Sequence, residues 1–204
     1  MKKALVLVDI QNDFVPGGAL AVPDGDAVVR VANRAMPHFD LVVATRDWHP
    51  ADHGSFATRH AGRKIGDLID LNGLQQILWP DHCVQNTPGA EFVASLDTGK
   101  IDAIFKKGMD KTVDSYSGFF DNGHKNATGM GDYLKKQKVD ELTIMGLATD
   151  YCVKFTALDA RKLGFKVRLL KEGVRGVDVR KGDCDRAMDE MKQAGVEILS
   201  VDSL

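Results

Sequence analysis

Cys152 lies in the stretch Gly146-Leu147-Ala148-Thr149-Asp150-Tyr151-Cys152-Val153, after an apolar strand pattern (Leu142 to Met145) and before a helical pattern (Val153 to Leu163). A thiol at the start of a helix can serve as a nucleophile, because the helix N-terminus favours the thiolate over the thiol. To attack a carbonyl, a thiol needs a base or a lowered pKa. Asp9 follows the apolar run Ala4 to Val8 and could accept the Cys152 proton; Lys107 follows the run Ile101 to Phe105 and would hold Asp9 and favour the thiolate. Asp9, Lys107 and Cys152 are therefore a chemically sufficient set. Each has a plainer reading, since a buried free cysteine is commonly inert and an aspartate after a strand can simply cap a turn.

A second kind of chemistry is spelled by Asp47 and His49 on one loop and His82 on another. Two imidazoles and a carboxylate bind a divalent metal and leave positions open, as catalytic sites do. His53, four residues after His49, is either a further ligand or a surface histidine. The aromatics Phe14, Trp48, Trp79, Tyr116, Phe119 and Phe120 fall in the same loops. Flat ligands are held by such walls with a few polar groups. Phe14 and Trp79, each beside a candidate polar site, read as pocket residues; Phe119 and Phe120 read as core.

These residues are far apart in sequence, so the elements must gather them. Continuous apolar runs at Ala4–Val8, Leu41–Thr45, Ile101–Phe105, Leu142–Met145, Phe165–Leu170 and Val196–Val201 predict strands buried on both faces. Helical spacing predicts helices over Asp24–Phe39, with Asp24 as N-cap, over Met130–Lys138, after Cys152, and over Arg180–Ala194. Gly89–Leu96 reads as a short helix inside a long ordered excursion, residues 54–100. The alternation predicts an α/β fold: three layers, α/β/α, around a central, mostly parallel sheet. In such a sheet the strand ends carrying Asp9, Asp47, Lys107 and Cys152 share one edge, where open α/β folds place ligands.

The totals fit one domain, 1–204. Hydrophobic content of 44% and charged content of 27% are those of an ordinary globular chain. A net charge of -2 gives no ground for a nucleic-acid or membrane-surface partner. No apolar run is long enough to span a bilayer. Met1-Lys2-Lys3 before Ala4–Val8 has the look of a signal-peptide start, but Asp9, Asn12 and Asp13 end the run too early. The odd number of cysteines, Cys83, Cys152 and Cys184, argues against a disulfide framework and for a cytoplasmic setting. The composition is compatible with a homo-oligomer acting on a small-molecule substrate.

Five segments occur together in the order found in bacterial nicotinamidases: Val8-Asp9-Ile10-Gln11-Asn12-Asp13-Phe14, Thr45-Arg46-Asp47-Trp48-His49-Pro50, Trp79-Pro80-Asp81-His82-Cys83-Val84, Phe105-Lys106-Lys107-Gly108 and Gly146 to Val153. The chain resembles that group, within the isochorismatase-like cysteine hydrolases, over essentially its whole length. The resemblance implies a catalytic triad of Asp9, Lys107 (the lysine directly before glycine, not Lys106) and Cys152. It implies metal ligands Asp47, His49 and His82 for one divalent ion, zinc first, with iron or manganese also compatible. Some relatives use a further histidine near the place of His53. It implies a cis peptide at Leu147–Ala148, an oxyanion hole from the N–H groups of Ala148 and Cys152, and a nicotinamide ring between Phe14 and Trp79 with Leu20 and Tyr116 nearby. Pyrazinamide, another flat ring with a ring nitrogen and a carboxamide, is expected to be accepted. Rival readings are a related carbamoyl-amide hydrolase, which could keep the triad without the metal, and a non-catalytic metal or redox module using Cys152 and Cys83.

Overall fold

The computed structural model describes residues 2–204; Met1, where the signal-peptide reading begins, lies outside them. Six strands form the central sheet in the order β5-β2-β1-β6-β7-β8. They are β1 (Lys2–Val8), β2 (Leu41–Asp47), β5 (Ala103–Lys107), β6 (Val139–Leu147), β7 (Lys166–Arg175) and β8 (Glu197–Leu199), and every pairing in this sheet is parallel. The strands form where the apolar runs predict them, with ends shifted by a few residues.

A strand covered on both faces reads as an unbroken apolar run, and β1 shows the reason. Ala4, Val6 and Val8 pack with Phe119, Met130, Leu134, Ala157 and Met191, whereas Leu5 and Leu7 pack on the opposite face with Val28, Ala32, Ala35 and Met36. The helices are α1 (Ala27–Ala35), α2 (Met130–Lys136), α3 (Lys154–Lys162) and α4 (Asp183–Gln193). α1 covers one face; α2, α3 and α4 cover the other. This is the expected three-layer α/β/α arrangement.

Three local expectations are corrected. The first helix is shorter than Asp24–Phe39: Asp24 adopts a left-handed φ of 52°, Asp26 takes the N-cap position, and a 3-10 turn over Met36–His38 follows α1. Gly89–Leu96 is not a helix; only a 3-10 turn forms at Pro88–Ala90. Its carbonyls are taken by distant partners, the Ala90 oxygen accepting from Gln11 Nε2 and Arg46 Nε at 2.9 and 2.7 Å, and the Glu91 oxygen from the Asn12 N–H at 2.9 Å. Finally, the excursion over 54–100 contains an antiparallel hairpin, β3 (Leu68–Leu71) and β4 (Leu74–Ile77). Its turn is Asn72-Gly73, both with positive φ, which is the strongest short-range hairpin signal a sequence carries.

Strand order decides where the chemistry sits. Across β5, β2, β1 and β6 the C-terminal ends carry Lys107, Asp47, Asp9 and then Cys152, four neighbours in space drawn from the length of the chain. The sheet changes direction between β1 and β6, and a crevice opens at such a reversal. Gly146 permits the close approach there. It pairs with Val8 at φ +124°, and a Cβ on it would lie 2.1 Å from the Val8 carbonyl oxygen. Among the described residues no helix is long and apolar enough to cross a membrane.

Candidate active site

Beyond β6 the chain passes through a cis peptide at Leu147–Ala148 and enters a wide π-helical turn, Thr149–Val153, that leads into α3. The Ala148 carbonyl accepts from the N–H groups of both Tyr151 and Val153 at 3.1 Å. Cys152 therefore faces the edge of the sheet from the first turn of a helical segment, as the sequence predicts. Asp150, 5% exposed, anchors this turn from behind, accepting the N–H groups of Val177 and Asp178 at 3.0 and 2.8 Å.

Lys107 holds the centre. Its ammonium, 2% exposed as a residue, lies 2.9 Å from Asp9 Oδ2 and 3.4 Å from Cys152 Sγ, donates to the Ser115 carbonyl at 2.9 Å, and pairs directly with Asp47. Asp9 is itself fully buried and its Oδ1 accepts the Thr45 hydroxyl at 2.7 Å. Asp9, Lys107 and Cys152 thus form one contiguous cluster.

Of the two routes the sequence leaves open, a base or a lowered thiol pKa, the protonation pattern favours the base. Burial raises the Asp9 pKa to about 6, with Lys107 opposing and Asp47 adding to the rise. Burial also pushes the Cys152 thiol well above the ordinary range; Lys107 opposes this, but Asp9 and Asp47 reinforce it. Two carboxylates and a dry environment outweigh the helix start. The resting pair is a thiol beside a base, not a preformed thiolate. Lys107 stays charged, because its two carboxylates overcome the desolvation that would otherwise lower it.

Asp47, His49 and His82 form the second cluster, all buried, with ligand atoms within 4.8 Å of one another. Asp47 Oδ2 lies 3.7 Å from His49 Nε2 and 4.0 Å from His82 Nε2. Each imidazole is oriented from its far side: His49 Nδ1 donates to the Gly108 carbonyl at 2.9 Å and His82 Nδ1 to the Pro80 carbonyl at 2.7 Å. A carbonyl only accepts, so Nδ1 carries a proton in both rings, the arrangement a metal-binding histidine needs. His82 turns an Nε2 lone pair inward, whereas Asp47, overcoming the desolvation, raises the His49 pKa, so a metal ion would displace the proton that His49 Nε2 shares with Asp47. Burial and His49 lower His82 to about 4, so it is a neutral donor. Burial works against the Asp47 charge, but Lys107 and His49 hold it ionised, well below the usual carboxylate range. The donor set fits a divalent metal ion.

His53 lies outside this set. It is fully buried and so is not a surface histidine, and it falls in a neighbouring group with His49 and Asp114 whose ligand atoms lie within 4.8 Å of one another. Its ring is 4.4 Å from that of His49, but its Nδ1 accepts the Ser55 N–H at 3.2 Å, which leaves the proton on Nε2. A protonated Nε2 presents no lone pair to a metal.

Gly108 fits His49 with no space to spare. At φ +66°, a Cβ there would lie 2.3 Å from His49 Cε1 and 2.5 Å from Nδ1. Gly108→Ala is expected to turn the ring and weaken metal affinity about ten- to a hundredfold, the usual cost of disturbing a residue behind a ligand. Competition against a chromogenic chelator measures it; unchanged affinity would show that the glycine does not set the ring.

The aromatic residues line two sides. Phe14 is buried with its ring 5.5 Å from that of His82, and half-buried Leu20 packs in the same apolar group. Trp79 Nε1 and Gln76 Nε2 both donate to the Tyr116 hydroxyl at 3.1 Å. Phe119 belongs to the core. Four contributors went unread in the sequence. Thr45 holds Asp9. Gln11 clamps the Asp47 backbone, accepting its N–H and donating to its carbonyl, both at 2.8 Å. Ser115 supplies a carbonyl to Lys107, and Tyr151 packs edge-on to Trp79 at 4.9 Å. Gln11, Thr45 and Tyr151 sit inside segments that carry the resemblance; nothing local distinguishes Ser115.

A parallel sheet whose switch point holds a buried Cys–Asp–Lys cluster defines a class of hydrolase-like proteins, and the isochorismatase domain matches residues 3–203. The chain belongs to the isochorismatase family. Within it, the chain is 50% identical to the nicotinamidase of Escherichia coli strain K12, over 98% of this chain and 95% of that protein. A nicotinamidase/pyrazinamidase structure from Acinetobacter baumanii superposes with a TM-score of 0.96 at 41% identity, covering 99% of this chain and 97% of the other. The pyrazinamidase of Pyrococcus horikoshii, solved in complex with zinc, gives 0.80 at 41% identity over 98% and 99% of the two chains.

Proposed function

We propose that this protein hydrolyses nicotinamide to nicotinate and ammonia, with one bound divalent metal, acting as a single domain over 1–204. One observation carries the reading: a single buried ammonium, Lys107, touches Asp9, Cys152 and Asp47 at once, joining a nucleophile–base pair to a metal-type donor cluster. Similarity to nicotinamidases over almost the full chain supports the substrate.

Asp9 takes the proton of Cys152 as the sulfur attacks the amide carbon. The N–H groups of Ala148 and Cys152 are the donors assigned to the developing oxyanion; one such donor is worth about a hundred- to a thousandfold in rate. When the carbon–nitrogen bond breaks, Asp9 returns the proton to the leaving nitrogen, and ammonia departs from a thioester. Asp9 then deprotonates a water that attacks the thioester, releasing nicotinate and restoring the thiol. Lys107 stays protonated throughout and holds Asp9 in place. A divalent ion held by Asp47, His49 and His82 would supply Lewis acidity toward a ring nitrogen or a water. Zinc is the proposed ion: it suits a donor set of two imidazoles and one carboxylate and occupies the Pyrococcus relative. Phe14, Leu20, Trp79 and Tyr116 wall the ring. The free state of Cys83, Cys152 and Cys184 supports a reducing, cytoplasmic setting.

The test is ammonia release from nicotinamide, and in parallel from pyrazinamide, by purified protein before and after chelation. Release lost on stripping and restored by metal supports the proposal. Release that survives stripping removes the metal from it, and none with metal supplied would turn attention to carbamoyl amides. A pH profile follows from Asp9. Only its ionised form accepts the proton, so kcat/KM is expected to fall as pH drops through about 6, the raised Asp9 value. A profile still flat a full unit below that would remove Asp9 as base.

A further inference from the structure

The wall on the Trp79 side of the site is thin, and a cavity lies behind it. Tyr116 and Tyr151 both line a cavity of about 490 Å³, bounded further out by Phe155, Arg180, Leu68 and Val179. The same two residues also belong to the nucleophile side: Tyr151 precedes Cys152 in the chain, and Tyr116 hydrogen-bonds Trp79. Cys152 itself is only 7% exposed.

The three rings of this wall are not equally held. Trp79 and Tyr116 are locked to each other and to Gln76 through the Tyr116 hydroxyl. Tyr151 is held by packing alone, edge-on to Trp79 and Tyr116 with ring centroids 4.9 and 5.4 Å away and against the neighbouring core cluster, and its hydroxyl makes no hydrogen bond to the described residues. The cavity is open to solvent and mixed in character: Leu68 is 49% and Val179 46% exposed, beside the charged side chains of Lys154, Asp183 and Glu190. We infer that Tyr151 is the specificity-determining wall between the nicotinamide site and this cavity, and that the cavity is the space a ring-substituted pyridine carboxamide would occupy once Tyr151 is removed. Tyr116, tied by two hydrogen bonds, sets the fixed edge of the opening; Tyr151 sets its width. The inference rests on the proposed nicotinamide hydrolysis and deepens it by naming the residue that limits substrate size.

The experiment compares metal-loaded wild type, Tyr151→Leu and Tyr151→Ala. For each, kcat/KM is measured for nicotinamide and for nicotinamides carrying a methyl or phenyl group at each free ring carbon. The ratio of substituted to parent amide, taken within one preparation, cancels any difference in the fraction of folded enzyme. For at least one substitution position the ratio is expected to rise about tenfold or more in Tyr151→Ala, the scale on which a few added carbon atoms discriminate between substrates. Tyr151→Leu should fall between. Ratios within about twofold of wild type at every position would overturn the inference, as would loss of nicotinamide turnover in both variants with thermal melts unchanged. A wild type that releases no ammonia from nicotinamide would instead remove the parent reading.

Discussion

Cys152→Ala is expected to lower kcat/KM for nicotinamide by about ten-thousandfold or more while leaving metal content unchanged. The size follows from the kind of step removed. Without the sulfur there is no thioester, and what remains is binding and an oxyanion site, which together give only a small residue of activity in nucleophilic hydrolases. Unchanged metal content is the sharper half of the prediction. Asp9, Asp47 and Cys152 also present ligand atoms within 4.8 Å of one another, so Cys152 could in principle hold a metal. The two imidazoles, oriented by Gly108 and Pro80, favour the other cluster. Elemental analysis of the purified variant decides: metal lost with the thiol would make Cys152 a ligand and not the nucleophile. Retained turnover would support the non-catalytic reading of this cysteine.

The second large effect is on stability. Lys107→Met removes the one cation shared by two buried carboxylates. Breaking a buried pair by deleting one partner costs about 3–5 kcal/mol, because the remaining charge has no solvent to turn to. The metal-free variant is expected to lose about that much in urea unfolding and essentially all turnover. The sign of its pH dependence also follows. With Lys107 gone, burial raises the folded-state pKa of Asp9 and Asp47 above their unfolded values. The cost is therefore present above the unfolded carboxylate pKa and fades as pH falls toward about 4. The stability gap to wild type should narrow in acid and partly close when metal is added. A gap that widens in acid would mean the carboxylates are not what Lys107 holds.

The sheet was legible because its inner strands, covered on both faces, must be apolar throughout; the edge strands β5 and β8 also read as apolar runs, but they are not covered on both faces, and β5 leaves Ile104 47% exposed. The site was legible for a related reason: at the end of each of four runs the sequence turns abruptly from apolar to Asp9, Asp47, Lys107 or the Cys152 turn. Spatial order was not legible. That β5 and β2 are neighbours, which sets Lys107 beside Asp47 in register, depends on how the strands assemble. The same holds for Gly89–Leu96, whose helical spacing lost to distant donors on Gln11, Arg46 and Asn12. How strongly the site opposes a thiolate at Cys152 was not legible, because a helix start is visible in sequence and the depth of burial is not. The hairpin over Leu68–Ile77 is different: its Asn72-Gly73 turn was there to be read.

The close contact of Gly146 with Val8 has a consequence in time. Those residues belong to strands from opposite halves of the chain, and their pairing encloses nearly everything between them. Contacts of such long reach form late, since the chain must surrender much freedom before they are rewarded. Asp9 and Cys152 flank that seam, so a refolding chain has no competent centre until the seam closes. Recovery of turnover after dilution from denaturant should lag behind recovery of helical signal.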